Sequence, residues 1–201
     1  MTTSIAVHAP RAAGSALHSG VVRTHGAAML VAGIAYGILI WLPWPDGASR
    51  FLPAEFGALS FTLGALVLLA LIWRARALPA TPFWAAAATL ALALQIATIG
   101  LEATSIVLDD AATELAATIT LAASSATGFV VCVGVVAAGA WAGPLRYLPL
   151  VLASWPGAVA AATVFSSSES VLWSVFVLWT SVALVVTGLF ALAVPRGAVN
   201  A

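Results

Sequence analysis

Six stretches of this chain are almost continuously apolar for about twenty residues or more, and short gaps rich in Pro, Gly and Ser divide them. Roughly 20 helical residues cross the ~30 Å hydrocarbon core of a bilayer, and lipid admits only helices or closed barrels because every backbone polar group must be paired internally. None of the stretches shows the apolar-polar alternation of a barrel strand. The pattern predicts helix one over 25–43, helix two over 55–73, helix three over 82–106, helix four over 112–141, helix five over 146–165 and helix six over 169–194. Breakers stand in the gaps: Pro43, Pro45 and Gly47, then Pro79 and Pro82, Gly143 and Pro144, the Ser166-Ser167-Ser168 run, and Pro195 with Gly197. Such short gaps put consecutive helices side by side. The expectation is an all-α, six-helix antiparallel bundle forming one transmembrane domain over 25–194, with a disordered cytoplasmic tail over 1–24 and a short cytoplasmic tail over 195–201.

Charge gives the bundle a direction. Asp46, Glu55, Glu102, Asp109, Asp110, Glu114 and Glu169 lie in or beside alternate gaps, and Arg11, Arg23, Arg74, Arg76, Arg146 and Arg196 occupy the others, with Arg50 as the exception. Positive residues near helix ends stay on the cytoplasmic side. Both termini are then expected inside, which agrees with an even number of helices. Trp41, Trp44 and Trp173 fall at expected outer ends and Trp73, Trp84, Trp141 and Tyr147 at inner ends, where aromatic rings favour the headgroup region. Tyr36, Trp155 and Trp179 are left at mid-membrane depth, either as bulky packing or as lining of a cavity.

Composition narrows the function classes. With 63% hydrophobic and 7% charged residues the chain cannot be a soluble domain, in which about 25% of residues are charged. Its net charge of zero offers no basic surface to nucleic acid. All seven basic residues are Arg, so no lysine Schiff base can form. The lone Cys132 sits in an apolar run and reads as a packing residue. His8, His18 and His25 all precede mid-membrane positions, which excludes bis-histidine haem inside the bundle and leaves no metal site. The outer acids could gather a divalent cation, but a solvated acidic loop is the simpler account. The first two dozen residues lack the continuous apolar core of a cleavable signal peptide. Arg-only, Ala-rich usage suits a bacterial inner membrane.

Chemistry could live on a few polar faces. Gln95, Thr98, Glu102 and Ser105 follow one another at spacings of three, four and three, which places them on one face of helix three as a candidate intramembrane polar site. If helix three ends near Leu101, Glu102 is one more headgroup acid; if Ile106-Val107-Leu108 continues the span, its carboxylate lies below the surface and must pair, protonate or meet water. Helix four carries a matching stripe through Thr120, Ser124, Thr127 and Gly128, suited to packing against helix three. Gly33 and Gly37 form a small-xxx-small step on helix one. In helix five, Pro156 and Gly157 predict a break that frees the carbonyl of Leu152. Helices one to three and four to six could form an inverted repeat, but no internal residues align to support one.

No phosphate loop, paired intramembrane aspartates or nucleophile-base pair is present, so no enzyme and no cofactor is expected. The composition points to the lipid bilayer as solvent, and two functions remain. One is a scaffold or accessory subunit whose helix faces bind itself or another membrane protein. The other is a small-solute or proton-coupled transporter using the polar face of helix three. A dry, packed interior favours the first and an open cavity reaching Glu102 the second.

Overall fold

The computed structural model describes residues 19–41, 51–108, 111–141 and 143–193. His8, Arg11, His18, Trp44, Asp46, Arg50, Asp109, Asp110 and Arg196 lie outside the described residues, as do the side chains of Glu55 and Glu169. Among the described residues the chain is all-helical: α1 (Ser19–Trp41), α2 (Phe51–Arg74), α3 (Pro82–Leu108), α4 (Ala111–Ala138), α5 (Leu148–Ala153), α6 (Trp155–Ala162) and α7 (Glu169–Leu192), with a 3-10 turn over Gly143–Arg146 before α5. Five of them, α1 to α4 and α7, are long and apolar enough to cross a membrane, and the chain is a multi-pass membrane protein.

Two boundaries depart from the hydropathy pattern in an instructive way. α1 starts at Ser19, so residues 19–24 of the expected tail are helical. Thr24 donates to Gly20 O at 2.9 Å and His25 Nδ1 lies 2.8 Å from Val21 O, so these polar side chains find partners on their own helix and extend it past its apolar part. The larger departure is predicted helix five. It is not one kinked helix over 146–165 but the two pieces α5 and α6, of six and eight residues, and neither counts among the five candidate spans. Each piece carries a proline at its first turn, Pro149 in α5 and Pro156 in α6. A proline there loses no helical hydrogen bond, so the chain prefers two starts to one interrupted run. Between them Ser154 sits at φ −83°, ψ 4°, off the helical path.

Glycines set how the long helices approach. A methyl group built on Gly26 would lie 2.8 Å from Ala191 Cβ, one on Gly33 2.9 Å from Leu184 Cβ, and one on Gly188 2.7 Å from both Gly26 O and Leu30 N. α1 and α7 therefore touch backbone to backbone, the contact that small residues permit in lipid. As α1 advances from Gly26 to Gly33 its neighbours on α7 run back from Ala191 to Leu184, so the two helices are antiparallel. Likewise Gly64 of α2 faces Ala32 and Gly57 faces Ile40 and Tyr36, and Gly134 of α4 faces Trp84 at the start of α3.

These directions give the bundle two ends. The basic end gathers the start of α1 with Arg23, the end of α2 with Arg74 and Arg76, the start of α3 and the end of α4. The opposite end holds the start of α4 with Glu114, and Glu102 lies toward it on α3. Trp41 and Trp173 sit toward that second end, and Trp73, Trp84, Trp141 and Tyr147 at the basic one.

Basic residues also terminate helices. At the end of α2, Arg76 takes φ 47°, Arg76 N–H donates to Trp73 O at 3.1 Å and Ala77 N–H to Ile72 O at 3.1 Å. This is a Schellman stop with arginine where glycine is usual, and the buried Ala77 supplies its apolar contact. At the end of α4, Gly139 adopts φ 61°, and the Arg146 guanidinium donates through Nε and Nη2 to Val136 O at 2.9 and 2.5 Å. A cation on the last carbonyls satisfies them and complements the helix dipole. The core between the helices is apolar and aromatic. Phe61 packs on Tyr36 with ring centroids 5.6 Å apart and on Phe176 at 5.7 Å, and Trp155 of α6 packs on Phe176 at 4.7 Å.

Candidate functional site

Gln95 stands thirteen residues from either end of α3, hence about 20 Å from each at 1.5 Å per residue, which is the midplane of the bundle. It is 3% exposed. An amide so deep must be bonded on both sides, and it is: Nε2 donates to the Thr62 carbonyl of α2 at 2.8 Å, and Oε1 accepts a short hydrogen bond from the Ser124 hydroxyl of α4. One side chain thus ties three helices together. Two turns along, Glu102 shares the same partner from its other side, and the Thr62 hydroxyl donates to Glu102 Oε2 at 2.8 Å.

The α3 polar face therefore separates into parts. Gln95 and Glu102 reach across to α2, whereas Thr98, fully buried, bonds Leu94 O and Ser105 bonds Glu102 O, both on their own helix. The α4 stripe separates in the same way. Ser124 crosses to Gln95, while Thr120 donates to Ala116 O or Ala117 O and Thr127 to Ala123 O or Ser124 O. Hydroxyls on membrane helices satisfy themselves locally unless a partner is placed opposite. Gly128 meets nothing within 4 Å of a built methyl, so no helix approaches there, and Gly37 makes ordinary contact with Ser181 at 3.5 Å. α3 runs on to Leu108, so Glu102 lies within the helix about 9 Å short of its end, with partial exposure.

Beside the Gln95–Ser124 bond is a cavity of about 50 Å³, walled by Leu68, Leu121, Cys132, Pro149 and Trp155, with Ser125 as a further polar group. Cys132 is buried and unbonded to another cysteine. Comparison with protein-family models, with curated proteins and with solved structures finds no match to this chain. The site must be read from its own atoms.

The break between α5 and α6 is repaired from α7. Val151 O accepts the Trp179 indole Nε1–H at 2.8 Å and the Ser154 hydroxyl at 2.7 Å. It is this carbonyl, one residue before Leu152, that draws in the side chains, and Pro156 stands just beyond with Gly157 facing open space. The mid-depth aromatics accordingly divide: Trp179 mends backbone, Trp155 walls the cavity, and Tyr36 is 1% exposed with a hydroxyl that makes no hydrogen bond within the protein. Sequence reasoning missed Thr62, which serves both Gln95 and Glu102. With Ser60 it is one of two hydroxyl residues in a largely apolar α2, and only the register between α2 and α3 gives it meaning. Among the described residues no group of three or more His, Cys, Asp or Glu could hold a metal ion.

Proposed function

We propose that this chain is a small integral membrane scaffold or accessory subunit, acting through its helix faces on a second copy or on another membrane protein. The observation that carries this reading is the Ser124–Gln95–Thr62 tie: the most polar part of the bundle's interior is used to join helices and is not left to face a solute. The adjoining cavity, at about 50 Å³, has room for a few waters and is walled mainly by apolar side chains. The test is extraction in mild detergent followed by crosslinking and native mass measurement. A defined complex with itself or one membrane protein is expected, and a dispersed monomer without partners would overturn the reading.

The second reading, a small-solute or proton-coupled transporter, draws on the partial exposure of Glu102 and on the broken α5–α6 element, since interrupted helices are a means of building intramembrane sites. Solute or proton flux in reconstituted vesicles, lost in Glu102→Gln, is its signature.

For the topology, we infer six crossings with both termini cytoplasmic in a bacterial inner membrane. The support is that α7 runs antiparallel to α1 and that the turn at 143–146, α5 and α6 lie between the basic end of α4 and the opposite end where α7 starts. The described Arg23, Arg74, Arg76 and Arg146 all gather at one end, which the positive-inside rule assigns to the cytoplasm.

A further inference from the structure

The cavity beside the Gln95–Ser124 bond has a buried floor and an open mouth. Phe61, Leu68, Gln95, Ser124 and Cys132 belong to its buried part. Apart from Ala65, its partly exposed walls are Leu121, Ser125 and Gly128 of α4 and Ala153 and Trp155 where α5 meets α6, so it opens between α4 and that junction. Gly128 keeps the mouth clear, because a methyl built on it meets nothing within 4 Å. The break between α5 and α6 keeps the far side apart: α5 packs against α4, whereas α6 packs on α7.

Depth determines what can reach this mouth. Ser125 stands fourteen residues after the start of α4 and thirteen before its end, about 20 Å from each. The opening thus faces the middle of the hydrocarbon, far from the headgroup regions. An occupant arrives dissolved in the lipid.

The polar groups at this place are incompletely used. Exposed hydroxyls elsewhere on the long helices, at Ser60, Thr89, Thr104 and Thr118, donate to carbonyls one turn back. The Ser125 hydroxyl, on the cavity wall, has no hydrogen-bond partner within the protein. Gln95 Nε2 carries a second proton beyond the one given to Thr62 O, and the Ser124 oxygen, having donated to Gln95, keeps its lone pairs. A single hydroxyl inserted here can accept from Ser125 or Gln95 and donate to Ser124, with the tie between the helices left intact.

Volume sets how much of the ligand enters. A water occupies about 30 Å³ in the liquid, so a cavity of about 50 Å³ is matched by a hydroxyl and the carbon that bears it, while the rest of the molecule lies out through the mouth in the lipid. We propose that this cavity binds the hydroxyl end of a straight-chain lipophilic alcohol, which enters sideways from the bilayer between α4 and the α5–α6 junction. Ser125 gives the hydroxyl its partner at the mouth, and the apolar walls take the first carbon. The site is independent of whether the protein acts as a scaffold or as a transporter, since its ligand comes from the membrane and leaves the Ser124–Gln95–Thr62 tie unbroken.

The experiment is photolabelling of the full chain in phosphatidylcholine vesicles with an octanol that carries a diazirine, followed by digestion and mass spectrometry. Adducts are expected to concentrate on residues 121–128 and 153–155, to saturate, and to be displaced by 1-octanol but not by octane. Gly128→Leu fills the mouth and should cut the labelling about tenfold. Ser125→Ala removes no bond within the protein and should raise the half-saturating concentration about fivefold, the worth of one hydrogen bond of about 1 kcal/mol. Near-equal Tm values of the variants and the wild type, measured after extraction, show that each still folds. Adducts spread without saturation over lipid-facing positions such as Val31 and Phe129, displacement by octane as good as by 1-octanol, or labelling unchanged in Gly128→Leu or in Ser125→Ala overturns the proposal. So does an absence of adducts on residues 121–128 and 153–155.

Discussion

Gln95 is the residue on which the interior depends. Both its amide atoms are engaged, at 3% exposure and on two different helices, so truncation leaves polar groups unpaired where water is scarce. Hydrogen bonds between membrane helices average about 0.6 kcal/mol and reach about 1.7 kcal/mol. Gln95→Leu, which removes the amide but keeps volume, is expected to cost about 1–2 kcal/mol in mixed-micelle denaturation, at the upper end because two bonds are lost. Ser124→Ala should cost less. In the double variant the two losses should not add, with a coupling of about 0.5–1.5 kcal/mol, and strict additivity would show that Ser124 and Gln95 do not act together. At this scale the sequence was partly legible. The spacing of Gln95 and Glu102 along one helix is visible without a structure, but their shared partner Thr62 is 33 residues from Gln95 and 40 from Glu102, and no local pattern marks it.

Elements were legible where hydropathy and glycine act together and illegible where prolines compete. The five long helices follow directly from apolar length, because lipid gives the backbone no alternative. Predicted helix five is broken where Pro156 announces a break, but into two separate pieces and not a kink, because the run holds two prolines, Pro149 and Pro156, seven residues apart, and each is better placed starting a helix than interrupting one. The α1–α7 contact shows the reverse case. Gly33 announces a close approach from sequence, but the tighter contacts are at Gly26 and Gly188, whose pairing across the bundle depends on the antiparallel register. A methyl at Gly188 would meet backbone atoms at 2.7 Å, which cannot move without shifting a helix. Gly188→Ala should therefore destabilise the protein by about 1–3 kcal/mol, as overpacking does. Gly100→Ala meets nothing within 4 Å and serves as the matched control, gaining up to about 1 kcal/mol from helix propensity alone. Equal effects at the two positions would mean that α1 and α7 do not touch as described.

At the level of the whole molecule, segregated charge and helix direction are two separate sources of the same orientation. Arg76 shows how strongly the chain holds to it: a Schellman stop at φ 47° would favour glycine, and an L-residue there costs of order 1 kcal/mol, but arginine occupies it at the basic end. The same end keeps Arg146 folded onto α4 through Val136 O. If the segment from 143 to 165 completes a crossing, single cysteines placed at Pro79 and at Gly143 share one side of the membrane, and one placed at Ser167 lies on the other. Cys132 is buried and can be replaced by Ala to give a silent background. With a membrane-impermeant maleimide applied to intact cells, the Ser167 position should label at once, and the Pro79 and Gly143 positions only after the membrane is opened. Simultaneous labelling of Gly143 and Ser167 would instead make α5 and α6 a re-entrant pair, and α7 would then have to run parallel to α1. The contacts of Gly26 with Ala191 and of Gly33 with Leu184 run the opposite way, so these labelling patterns test the helix directions and the charge rule together.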